Sequence, residues 1–130
     1  MRIAIVKLSA LGDIVHAMVA LQLIKKYNKT ISIDWVVEEN YKELLEHHPQ
    51  INKVHALNLK KAKYKKSIFL FFKEIKKVRY LGYYDLVIDM QGLIKSAIVS
   101  KMIPSKLIIG FDRFSSRERF SSLFYNKCFN

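Results

Sequence analysis

Cysteine, proline, glycine and acidic residues are all scarce in this chain of 130 residues. Cys128 is the only cysteine, which excludes an internal disulfide. Gly12 is the only glycine before Gly82, so no G-x-G-x-x-G fingerprint and no phosphate loop ending in Gly-Lys-Ser or Gly-Lys-Thr exists near the amino terminus. No run of apolar residues is long enough and free enough of charge to cross a bilayer as a helix. Met1 to Val6 is too short for the apolar core of a signal peptide, and Asp13 interrupts the next apolar stretch, so a cytoplasmic protein is expected. The four histidines lack ligand spacing (His47 and His48 simply precede Pro49), and no metal site is expected. There is no repeat and no low-complexity segment. The length suits one domain of about five strands with helices on both faces.

The shortage of acids is local. Lys and Arg number 23 against 11 Asp and Glu, a net charge of +12. Residues 1–52 are balanced at six of each sign, whereas residues 53–80 carry ten cations against Glu74 alone. A concentrated field of one sign calls for an anionic partner: nucleic acid, phosphorylated lipid or an acidic sugar.

The first twenty-seven residues organise the rest. Ile3 to Val6 is a short apolar run with β-branched residues, expected to form a buried strand. Leu8 to Gly12 is too small and polar to continue it, and from Ile14 the apolar spacing turns helical through Ala17, Met18 and Leu21. Strand, tight turn and apolar helix open a parallel α/β sheet, whose ligands bind beyond the C-terminal strand ends. Ser9, Gly12 and Asp13 stand there. Asp13 either caps the helix through backbone amides or serves as a general base on a hydroxyl, and the residues alone leave both open.

Further strands are expected at Ile31–Val37, Lys53–Leu57, Asp85–Met90 and Lys106–Ile109, and a β-loop-α-β rhythm connects them. Asp34 is unusual in a central strand. One helix is expected from Tyr64 to Leu81, its stripe formed by Tyr64, Ile68, Phe71 or Phe72, Ile75 and Val78. Its aromatics and lysines together suit an anionic lipid surface, although the aromatics would equally pack on the sheet. Asp89, Gln91 and Gly92 stand at a strand exit, where a cleft role and plain turn chemistry both fit. His16 lies one turn into the first helix, facing the cleft or its own helical surroundings. Residues 111–130 suggest an ordered loop with a short helix, and Arg117 and Glu118 in it either line the cleft or pair with each other. The whole describes a three-layer, Rossmann-like α/β domain with a mainly parallel sheet.

Four segments in order carry a resemblance: VKLSALGDIVH (Val6 to His16), DWVVEE (Asp34 to Glu39), YDLVIDMQGLIKSA (Tyr84 to Ala97) and SRERFSSLFYN (Ser116 to Asn126). Across essentially its full length the sequence resembles the N-terminal part of the bacterial lipopolysaccharide heptosyltransferases of glycosyltransferase family 9, and within them the type I enzymes. The resemblance implies the N-terminal, acceptor-side half of a metal-independent, inverting GT-B glycosyltransferase. It further implies ADP-heptose as donor substrate with no cofactor, and the inner Kdo of Kdo2-lipid A as acceptor. The reaction would take place at the anionic cytoplasmic face of the bacterial inner membrane, where the protein would be peripheral. By position, Asp13 matches the family's proposed catalytic base. Lys60, Lys61 and Lys63 match basic residues that contact the acceptor, with lysines where arginines are frequent; Ser9, Gly12, Gln91 and Gly92 would join them. The family's C-terminal donor-binding domain has no counterpart in these residues, so the chain is expected to be inactive alone. The competing expectation is a non-catalytic α/β module that binds nucleic acid or another polyanion through its basic patch. No helix-turn-helix, zinc-finger or RNA-binding signature supports it, and no nucleic-acid partner is expected.

Overall fold

The computed structural model describes residues 1–111 and 127–129. Among these described residues, six parallel strands form one sheet in the order β3-β2-β1-β4-β5-β6. They are β1 (Arg2–Val6), β2 (Ser32–Glu38), β3 (Lys53–Leu57), β4 (Tyr84–Asp89), β5 (Ser105–Phe111) and a short β6 (Lys127–Phe129). All five expected strands are present, and β6 adds an edge. The helices are α1 (Leu11–Tyr27), α2 (Lys42–Glu46), α3 (Leu59–Tyr64), α4 (Ile68–Ile75) and α5 (Ile94–Met102).

Two apolar layers sandwich the sheet, because successive residues of a strand point to opposite faces. Ile3 and Ile5 of β1 join Ile33, Trp35 and Val37 of β2 beneath Ile14, Ala17 and Leu21 of α1. Ala4 and Val6 face the other way, into a layer with Ile75, Val78, Val99 and Ile103. Central β1 is buried on both sides, which accounts for its unbroken apolar run. This is the expected three-layer domain, and the connections reverse direction between β1 and β4, the switch point where such sheets open a crevice.

Asp34 faces the second layer and is 1% exposed. Its carboxylate accepts from Tyr84 Oη at 2.5 Å, Asn52 Nδ2 at 3.1 Å and Arg2 Nη2 at 3.3 Å, and lies 3.4 Å from His55 Nε2. Burial alone would raise its pKa, but the bonds from His55, Tyr84 and Asn52 hold the carboxyl well below the usual carboxylate range. Burial and the same carboxylate push the Tyr84 phenol up. Gly82 completes this end of the sheet: at φ +103°, an added Cβ would stand 2.8 Å from Arg2 Nη1.

Two expectations need correction. The helix expected from Tyr64 to Leu81 is broken, because α3 ends at Tyr64, Lys66 takes a left-handed φ of +50°, and α4 starts afresh at Ile68. Ser67 causes the restart, its Oγ accepting the Leu70 amide at 3.2 Å as an N-cap. A 3-10 turn over Lys76–Tyr80 then finishes the segment. Tyr64 and Ile68 therefore leave the buried stripe and are 88% and 74% exposed, while Phe71, Ile75 and Val78 remain on it. The second correction concerns α1. It starts at Leu11, ahead of Ile14, with Ala10 as an N-cap that makes no side-chain bond. Asp13 is therefore not the cap. It stands exposed in the first turn of the helix.

Candidate functional site

The loops at the C-terminal strand ends build an open cleft of about 970 Å³. Four strand exits contribute a wall: Ser9 after β1, Glu38 at the end of β2, Lys60 and Lys63 on α3 after β3, and Lys95 in the first turn of α5 after β4. Lys66, from the turn between α3 and α4, completes the set.

The β1 exit is fixed by the β4 exit. Asp89 is wholly buried, and its Oδ1 accepts the amides of Gln91 at 2.9 Å and Gly92 at 3.1 Å. That turn, with Gly92 at φ +71°, brings Gln91 Oε1 back to accept the amides of Leu8 at 3.2 Å and Ser9 at 3.3 Å. Of the two uses open to Asp89, Gln91 and Gly92, the structure favours turn chemistry. All three are buried, with the Asp89 and Gln91 side chains bonded to backbone amides, Gly92's among them, so they shape the Ser9 loop from behind. Ser96 plays the matching part on α5, accepting from the Leu93 amide at 2.9 Å and donating to the Leu93 carbonyl at 2.8 Å.

Gly12, Asp13 and His16 follow Ser9 on the first turns of α1, and all three are exposed. A Cβ built on Gly12 would meet nothing within 4 Å, so packing does not demand glycine there. Of the three expected lysines, Lys60 and Lys63 line the cleft. Lys61 does not; its charge instead helps hold the Glu74 carboxyl below its ordinary value, against burial, alongside the Lys77 and Asn58 bonds. The expected roles of Arg117 and Glu118 fall outside the described residues.

Sequence reasoning missed three charged cleft residues, Lys66, Lys95 and Glu38, of which Glu38 is the acid. Its side chain is buried, which pushes the carboxyl pKa up, against the pull of Lys95 and the facing amides of Lys60 and Leu59. The signal was present in the paired glutamates that end DWVVEE, where a charge at a central strand exit stands at the ligand-binding edge. The site thus sets one carboxylate against four ammonium groups and a serine hydroxyl. It can hold a carboxylate or phosphate through point charges and still accept a bond from a sugar hydroxyl. Among the described residues, no group of three His, Cys, Asp or Glu could hold a metal ion, and no helix is long and apolar enough to cross a membrane.

Residues 68–130 match the family described as "Glycosyltransferase family 9 (heptosyltransferase)". Lipopolysaccharide heptosyltransferase 1 of Campylobacter coli is 45% identical over 130 residues, covering all of this chain and 36% of that protein. The Pseudomonas aeruginosa protein of the same name is 34% identical over 99% of this chain and 37% of its own length. A solved structure, E. coli heptosyltransferase WaaC with ADP-2-deoxy-2-fluoro heptose, superposes with a TM-score of 0.85 at 32% identity, over 98% of this chain and 42% of that one. The chain thus spans little more than a third of the length of the curated relatives it matches.

Proposed function

Because this chain matches the heptosyltransferase I enzymes of glycosyltransferase family 9 in family pattern, sequence and structure, we propose that it forms the acceptor-side half of an enzyme that transfers heptose from ADP-heptose to the inner Kdo of Kdo2-lipid A. In this reading the protein is a GT-B glycosyltransferase at the cytoplasmic face of the inner membrane. A second Rossmann-like domain holds the donor nucleotide across the cleft. The observation that carries the proposal is the alignment of this whole chain with 36% of the length of a heptosyltransferase 1 enzyme, combined with a lysine-lined cleft at the C-terminal strand ends.

The chemistry assigned to these residues is a single displacement with inversion. Lys60 and Lys63 hold the acidic groups of the acceptor, and Lys66 and Lys95 add to the same field. The Kdo hydroxyl attacks the anomeric carbon of the heptose, forming the new glycosidic bond as its proton passes to the Asp13 carboxylate. The bond from that carbon to the β-phosphate oxygen breaks, and ADP departs with the electron pair. Asp13 suits the role by position, since it is exposed at the start of α1, four residues beyond Ser9.

Acceptor binding by the chain itself tests this half of the proposal. Detergent-dispersed Kdo2-lipid A is expected to bind at least about tenfold more tightly than lipid A without Kdo, the step that one well-placed charged contact is worth. Changing Lys60 and Lys63 together to Ala should abolish the preference, and nucleic acid should not displace the lipid. Equal affinity with and without Kdo would defeat the acceptor assignment.

A further inference from the structure

We propose that the outer face of the α3–α4 hairpin is a membrane-docking surface. On this surface Ile68, Phe69 and Phe72 enter the interfacial layer of an anionic bilayer, and Lys65, Lys66 and Lys73 lie against its phosphate headgroups. The break in the expected helix creates the surface. By restarting at Ser67, α4 turns Phe71 and Ile75 to the core and leaves Ile68, Phe69 and Phe72 outside at 74%, 77% and 52% exposure. Tyr64, 88% exposed at the end of α3, extends the patch. Large apolar side chains gathered on one short hairpin cost solvation and call for a partner.

Charge selects the partner. Residues 53–80 carry ten cations, and their only acid, Glu74, is already bonded to Lys77 and to the Asn58 amide. A second copy of the same face would meet it lysine to lysine and be repelled. Apolar side chains ringed by cations instead fit a surface that is greasy within and anionic at its rim, which describes a bilayer with acidic headgroups. The choice of lipid over an acidic protein rests on the proposed function, because Tyr64, Lys66 and Ile68 line both the patch and the cleft. An acceptor anchored in the same bilayer would reach the cleft without leaving the membrane.

Vesicle flotation of the chain tests the surface, using phosphatidylethanolamine vesicles with and without phosphatidylglycerol and with no lipid A present. Phe69→Ser and the double change Lys65→Glu/Lys73→Glu alter residues outside the cleft lining and should melt like the parent. Each is expected to lower capture by anionic vesicles about tenfold, and neutral vesicles should capture little of any form. Phe69→Trp adds a direct readout, because the only native tryptophan, Trp35, is fully buried and bonded to the Lys7 carbonyl. Its emission should shift to the blue on anionic vesicles. Equal capture of Phe69→Ser and parent, equal recovery on neutral and anionic vesicles, or an unshifted Phe69→Trp on vesicles that do bind would each overturn the proposal. So would no capture at all, which would leave an acidic protein as the partner. Because the vesicles lack Kdo, failure here is separable from failure of the acceptor assignment.

Discussion

Single residues do two separable jobs at the two ends of the sheet. At the end away from the cleft, Asp34 ties β1, β2, β3 and β4 together through Arg2, Asn52, His55 and Tyr84. Its carboxyl is held below its unfolded value, so its contribution to stability is present above the unfolded aspartate pKa and is lost as pH falls through the folded one. Asp34→Asn should destabilise the chain by about 2–4 kcal/mol at pH 7, the usual consequence of unpairing a buried charge network. Thermal or urea melts should show the gap between parent and variant closing below about pH 4, where an unfolded aspartate itself takes up protons. A gap independent of pH would mean that shape, not charge, holds this end. At the other end, the buried Asp89 and Gln91 position Ser9, and Asp13 stands exposed in the first turn of α1 that follows.

At the scale of elements, the α3–α4 break decides which side chains face the cleft, the core and the solvent. Ser67→Ala removes the N-cap of α4 and should cost about 1 kcal/mol, a modest fall in the melting temperature. No loss of stability would mean that the break is imposed by packing alone. This element also shows what a sequence can reveal. The five strands were legible because buried parallel strands are short, apolar and bounded by turns, and β1 and β4 repeat that signal most cleanly. The break was not. Tyr64, Ile68, Phe71 and Phe72 keep a helical period through it, and a serine within a lysine-rich stretch gives no warning that the register resets. Lys60 and Lys63 were legible through resemblance. Glu38 was overlooked because a glutamate beside a helix start reads first as a dipole partner, and its burial emerges only once α3 and Lys95 close over it.

For the whole molecule, fold and field converge on one edge. A parallel sheet with central β1 opens its crevice at the β1–β4 switch, and the most basic stretch of the chain, residues 53–80, lies beside it. An anionic sugar-lipid would be drawn there before any specific bond forms, and that attraction should weaken with salt. The central claim is that these residues present an acceptor to a heptosyl donor with Asp13 as the base. The most direct measurement joins this chain to the remaining length of the E. coli heptosyltransferase it superposes on, then follows transfer from ADP-heptose to Kdo2-lipid A with Asp13 intact and with Asp13→Asn. The account predicts transfer by the intact chimera and a fall of roughly 10²- to 10⁴-fold in turnover for Asp13→Asn. The melting temperature should scarcely change, because Asp13 is not the helix cap. A cooperatively folded, donor-binding chimera that leaves Kdo2-lipid A unmodified, or an Asp13→Asn variant that turns over at the parent rate, would contradict it.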